Sequence, residues 1–242
     1  MRFFACLLTL IAVTPVFCQP PIPHYEVKRA TSPIVIDGKP DDKAWAAAGK
    51  IELIFPWDAQ TGAKQKTTAR LLWDDNYLYV SYECEDEDIV AFHTERDDPT
   101  YLDDAVEIFL NPLPSQTGVY FGLEMNARAT LYDYIMYKAL PSDSMHLFKQ
   151  FDLQGVKLAT SIDGTMNMRG DKDKGWSLEV AIPWSNFEGL SKRPEPGDVW
   201  AANINRWDGV EPNRRMSNWS DPVQPRPNPH VPARFGQLLF VR

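Results

Sequence analysis

The sequence has almost none of the chemistry that cross-links a chain or grips a soft metal. Of three cysteines in 242 residues, Cys6 and Cys18 fall within the first eighteen positions, which leaves Cys84 alone in the remainder. One thiol excludes an intrachain disulfide, so the fold must rest on its core. The four histidines, His24, His93, His146 and His230, are scattered among loop-like segments. No Ser/His/Asp order, Cys/His pair or His-rich metal spacing appears among them, which argues against an enzyme. Positive charge is also short, with 25 Lys and Arg against 33 Asp and Glu. An acidic surface argues against nucleic acid and anionic membrane as partners. The longest apolar run, Phe3 to Val13, is too short to span a membrane.

That run follows Met1-Arg2 and precedes Thr14-Pro15-Val16-Phe17-Cys18-Gln19, the layout of a secretory signal peptide. Cleavage after Cys18 places Val16 and Cys18 at the two small-residue positions. Lipid attachment to Cys18 is the alternative, and the bulk of Phe17 counts against it. The expected product is secreted, periplasmic or displayed at the cell surface. Removing residues 1–18 takes away Arg2 and no acid, leaving 24 basic against 33 acidic side chains. Residues 19–25 read as a flexible, proline-rich leader and 26–242 as one domain, long enough for a large sandwich core.

What fills the chain is strand signal. Short β-like runs bounded by Gly, Pro, Asn and Asp recur: Ile34–Ile36, Ile51–Phe55, Thr67–Trp73, Tyr77–Cys84, Ala105–Leu110, Tyr120–Asn126, Thr130–Tyr137, Val156–Thr160, Trp176–Ile182, Trp200–Arg206 and Gly236–Val241. Asp74-Asp75-Asn76 reads as a hairpin turn. Asp41 to Gly49 is the only clear helical stretch, with acids at its start and Gly at its end. The expectation is an all-β chain, an antiparallel β-sandwich or jelly roll with one short N-terminal helix. Twenty prolines, several of them in Pro222–Pro232, suit long ordered loops. In Asp103–Asn111, Val106, Ile108 and Leu110 share one strand face and Glu107 lies mid-strand on the other. A carboxylate there marks either a solvated sheet face or a ligand site.

Six segments, in order, carry a resemblance: Ile36-Asp37-Gly38 with the Asp41–Trp45 stretch; Leu72–Val80; Asp104–Leu110; Trp176–Trp184; Trp219-Ser220-Asp221-Pro222; and Ala233–Leu238. Together they make residues 26–242 resemble a family 9 carbohydrate-binding module. The resemblance implies a non-catalytic β-sandwich that binds oligo- or polysaccharides, often at glycan ends, and travels with glycoside hydrolases. It also implies an aromatic clamp around a terminal sugar. By position, the first clamp ring falls on Tyr101, the hydrogen-bonding strand carboxylate on Glu107, and amide positions on Asn126 and Asn205. Two departures stand out. The second clamp ring should lie just before Ala233, where this chain has Asn228-Pro229-His230-Val231, and the family's basic residue aligns on Glu124.

Sugar recognition needs a flat aromatic face and polar partners for vicinal hydroxyls. Glu107, Asn203 and Asn205 supply the second, and the two asparagines share a strand face while Trp200, Ala202 and Ile204 turn inward. Tyr101 then sits at the rim, and Trp207, just past the asparagine strand, is the candidate replacement ring. Of eight tryptophans, Trp45, Trp73, Trp176 and Trp184 are expected in the core. Clustered acids, Asp86, Asp88, Asp103 and Asp104 among them, are weak candidates for structural calcium, without EF-hand spacing. Two other functions remain open. Related sandwiches bind haem for electron transfer, with Met125, Met136, Met145 and His146 as ligand candidates. A scaffold that kept the fold and lost the sugar site is the third.

Overall fold

The computed structural model describes residues 19–138 and 144–242. The leader expected to be a signal peptide, residues 1–18, lies outside the described residues. Among the described residues, thirteen strands account for the fold: β1 (His24–Arg29), β2 (Ile51–Glu52), β3 (Thr67–Trp73), β4 (Tyr77–Glu85), β5 (Ala105–Asn111), β6 (Val119–Asn126), β7 (Leu131–Lys138), β8 (Met145–Phe148), β9 (Lys157–Asp163), β10 (Gly175–Pro183), β11 (Val199–Asp208), β12 (Arg215–Asn218) and β13 (Gly236–Phe240).

They form two layers joined by one shared strand. The front layer runs β8-β7-β6-β5-β11-β13 with β12 beside the end of β11, and the back layer runs β3-β4-β10-β9 with β2 beside β3. The first half of β1 pairs with β13 and its second half with β3, both in parallel. All other pairs are antiparallel, so the sandwich is mixed rather than purely antiparallel. Val106, Ile108 and Leu110 of the front layer and Leu71, Val80, Leu178 and Val180 of the back layer meet in one buried core. Trp73, Trp176 and Trp184 lie in that core, as their apolar patterning requires. The Asp74–Asn76 turn closes β3 onto β4, with Asp74 Oδ1 accepting from the amides of Asn76 and Tyr77 at 2.7 and 2.8 Å.

The short helical stretch is a 3-10 turn over Lys43–Ala47, not an α-helix. It covers the outside of the back layer, where Trp45 Nε1 donates to Glu179 Oε1 at 2.8 Å. The amides of Asp37 and Gly38 donate to the other oxygen of Glu179. Segments distant in sequence are thus tied to one carboxylate. Ile34–Ile36 joins no strand among the described residues, the Val35 amide donating instead to Asp42 Oδ2 at 2.7 Å, and β1 replaces it as the first strand. His24 and Tyr25 belong to β1, so the leader expected over residues 19–25 gives way to the first strand at His24. It is also fastened: Arg234 Nη2 donates to the carbonyl of Pro20 at 2.7 Å, and the Gln237 amide donates to that of Pro23 at 2.9 Å.

Candidate functional site

Five strands of the front layer each place one residue in a row across its outer face. Register pairs Asn218 with Asn205, Asn205 with Glu107, Glu107 with Glu124, and Glu124 with Tyr132. The pleat that turns Val106 and Ile108 into the core turns Glu107 out of it. Outward is not solvent here, because Glu107 is 1% and Glu124 4% exposed. Amides hold the row in place. Asn218 Nδ2 donates to Asn205 Oδ1 at 2.5 Å, and Asn205 Nδ2 donates to Glu107 Oε2 at 3.1 Å. The Tyr134 hydroxyl donates to Glu124 Oε1 at 2.8 Å. Tyr134 can lie this close because residue 122 is glycine; a Cβ there would sit 2.3 Å from its ring. Glu124 Oε2 is buried with no partner among the described residues.

Above the two carboxyls is a pocket of about 300 Å³. Tyr101 and Tyr132, ring centroids 5.9 Å apart, wall one side. The Pro227–His230 segment and Trp207 complete the walls. His230 stacks on Phe109, at 4.9 Å and 16°, and its Nδ1 lies 2.7 Å from the Tyr120 hydroxyl. Burial pushes the His230 imidazole down to about 4, so it is a neutral ring at physiological pH. Arg214 lies over the other aromatic, its guanidinium carbon 4.0 Å from the Trp207 centroid.

The electrostatics of the floor are unusual. Burial pushes the Glu107 carboxyl up to about 7, while the Asn205 amide, the Arg214 charge and the Trp207 indole pull the other way. Burial and the neighbouring Glu107 raise Glu124 well above the carboxylate range. Two adjacent carboxyls in a dry floor do not both ionise. At neutral pH, Glu124 keeps its proton and Glu107 carries what charge the pair has.

Of the residues singled out from sequence, Tyr101, Glu107, Trp207 and His230 meet at this pocket, and Asn205 braces it from behind. Asn126 and Asn203 do not join them. Asn126 locks the turn after β6: its Nδ2 donates to His93 O and Asp103 Oδ2, both at 2.8 Å, and its Oδ1 accepts from the amides of Arg128 and Thr130. Asn203 fastens the segment after β12 through the amide and carbonyl of Ser220. Neither lines the pocket. Sequence reasoning missed Glu124 as a pocket residue, along with Tyr132 and Tyr134, and it missed Arg214 stacked on Trp207. The alternation Tyr132, Tyr134, Met136 was a readable signal for the tyrosines; Arg214 reaches Trp207 only through the β11–β12 hairpin.

The four calcium candidates divide into one converging pair and two that stand apart. Asp86 and Asp104 converge with Asp208, but Asp88 is exposed and Asp103 turns to Asn126 and the amides of Phe92 and His93. Among Asp86, Asp104 and Asp208 lies the Arg206 guanidinium, whose Nη2 is 2.9 Å from Asp86 and 2.5 Å from Asp208. The haem ligand candidates are divided as well. Met125 is in the core between the layers, while Met136 is on the opposite face of the front layer.

A two-layer β-sandwich with a ring-walled polar pocket on one outer face is the build of a binding module. The chain belongs to the carbohydrate family 9 binding domain-like family, which matches residues 36–242. Modules of this family are non-catalytic. Endo-1,4-beta-xylanase A of Thermotoga maritima is 27% identical over 210 residues, covering 86% of this chain but 17% of that enzyme. Endo-1,4-beta-xylanase C of Paenibacillus barcinonensis is 27% identical, with 86% and 16% covered. The chain therefore corresponds to a small part of these relatives. Among solved structures, a Bacteroides uniformis protein proposed to bind carbohydrate has a TM-score of 0.72 at 20% identity, covering 91% of this chain and all of that one. A family 9 carbohydrate-binding module from Caldicellulosiruptor kristjanssonii, in complex with cellotriose, has a TM-score of 0.59 at 21% identity, with 90% and 93% covered. These structural likenesses establish the fold.

Proposed function

We propose that the chain is an exported, non-catalytic module that holds the end of a neutral glycan over Glu107 and Glu124. The observation that carries this reading is the floor itself: two buried carboxyls, one oxygen of Glu124 without a partner, beneath aromatic walls. Buried polar atoms without partners are costly, and a ligand rich in hydroxyls supplies what this floor lacks. A sugar's C–H faces suit the rings of Tyr101, Tyr132, Trp207 and His230. The neutral His230 ring, flat on Phe109, takes the place of the second clamp aromatic. A ring-walled pocket of about 300 Å³ suits a terminal sugar better than the interior of a chain.

The Caldicellulosiruptor module is known with cellotriose and with glucose, and the two relatives from Thermotoga maritima and Paenibacillus barcinonensis are xylanases. These favour β-linked plant oligosaccharides as ligands and a glycoside hydrolase as working partner. The leader at residues 1–18 favours export. A catalytic carboxyl pair must flank the scissile bond. Glu107 and Glu124 rise from adjacent strands on the same side of the pocket, so we assign them to binding. With one small polar site, affinity should be roughly micromolar. Calorimetric titration with gluco- and xylo-oligosaccharides tests the reading; no binding of any of them would overturn it.

A further inference from the structure

A second depression opens on the far side of Trp207. It encloses about 330 Å³ and shares Trp207 and Pro227 with the first, so that the indole stands as a partition between the two. Ala59, Gln60 and Thr61 form one wall and Glu211 and Arg214 the other. The first wall is built rather than loose. Arg215 donates from Nε to the carbonyl of Gly62 at 2.5 Å, from Nη1 to that of Trp57 at 3.3 Å, and from Nη2 to that of Gln60. Gln60 Oε1 in turn accepts from the Met216 amide, and Thr61 Oγ1 donates to the carbonyl of Pro212. Loop and hairpin are held at a fixed separation, as a pre-formed subsite requires.

Among the described residues, Arg214 is the one cation lining either depression. Its Nε and Nη2 are buried with no acceptor among the described residues. It makes no ion pair within 4 Å there, although Glu107, Glu211, Asp104 and Glu124 all act on its charge. A guanidinium left in this state is short of acceptor oxygens. It also covers one face of Trp207, which leaves the opposite face for a sugar in the first pocket.

We propose that this cleft, lined by Ala59, Gln60, Thr61 and Arg214, is a second subsite. The ligand is then a glycan of at least two sugar residues that crosses the edge of Trp207, the second presenting its oxygens to Arg214. The inference rests on the sugar-binding reading of the first pocket. Its location also differs from the strand position at which the family's basic residue aligns, which Glu124 occupies here.

Calorimetric titration of a monosaccharide and its β-linked disaccharide tests it, with wild type, Ala59→Phe and Arg214→Met. Ala59 is exposed on the cleft wall and touches nothing in the first pocket. Wild type should favour the disaccharide by about tenfold or more. Ala59→Phe, which fills the cleft, should keep monosaccharide affinity and reduce the disaccharide to the same level, and Arg214→Met should remove the same margin. Equal affinity of wild type for both sugars overturns the second subsite, as does a margin that survives Ala59→Phe. Loss of the monosaccharide in Ala59→Phe overturns it too, since the cleft would not be separate. If wild type binds neither sugar, the reading of the first pocket fails and the second subsite falls with it, a result distinct from the others.

Discussion

Glu107→Gln should make this protein more stable at alkaline pH while weakening its hold on a sugar. Glu107 is 1% exposed and its carboxyl is pushed up to about 7, from an ordinary 4.5. A carboxyl whose folded-state value is raised binds its proton more tightly when folded. Its stabilising effect is therefore full below about pH 4.5 and is lost as pH rises towards 7. At about 1.4 kcal/mol per tenfold change in proton affinity, ionising it in place costs about 3 kcal/mol by pH 8. Glutamine keeps an oxygen to accept from Asn205 and removes the charge. Urea unfolding should give the variant up to about 3 kcal/mol over wild type at pH 8 and little difference at pH 4. A variant less stable than wild type at pH 8 would refute the reasoning. A carboxylate that strains the fold at working pH is a feature of a site rather than of a scaffold.

Three further outcomes are expected. Tyr101→Ala, at a ring 38% exposed, should lower sugar affinity about tenfold with little change in melting temperature, read by calorimetry and thermal unfolding. Asn126→Ala should do the reverse: the turn after β6 loses four hydrogen bonds, costing roughly 2–4 kcal/mol in urea, while affinity in the folded protein is kept. Excess chelator should leave the melting temperature unchanged, because Arg206 already supplies the cation among Asp86, Asp104 and Asp208; a fall of several degrees would mean a metal sits there instead.

The parts of the fold that can be read from the sequence are local. Alternation in Ala105–Asn111 gives the inward and outward faces of β5, and Asp74-Asp75-Asn76 gives a turn, because both signals lie within a few residues. The first strand is harder. His24–Arg29 is held by β13 at the far end of the chain and by β3, partners that no local pattern names. The same division applies to the site. Glu107 and the asparagine strand were legible from the pleat, but not the fate of each amide. Asn205 meets Glu107 because register aligns them, whereas Asn203, on the same face, meets the backbone of Ser220. That the outer face is dry depends on the Pro227–His230 segment folding over it. Arg214 enters through a hairpin whose geometry depends on Arg215 gripping three carbonyls of a distant loop.

The most direct measurement is a calorimetric titration of gluco- and xylo-oligosaccharides into the wild-type domain and into Glu107→Ala at pH 7. The account predicts roughly micromolar binding of at least one of them by wild type, and its loss in a variant that still unfolds cooperatively. Undiminished binding by Glu107→Ala, or none by wild type, would contradict it.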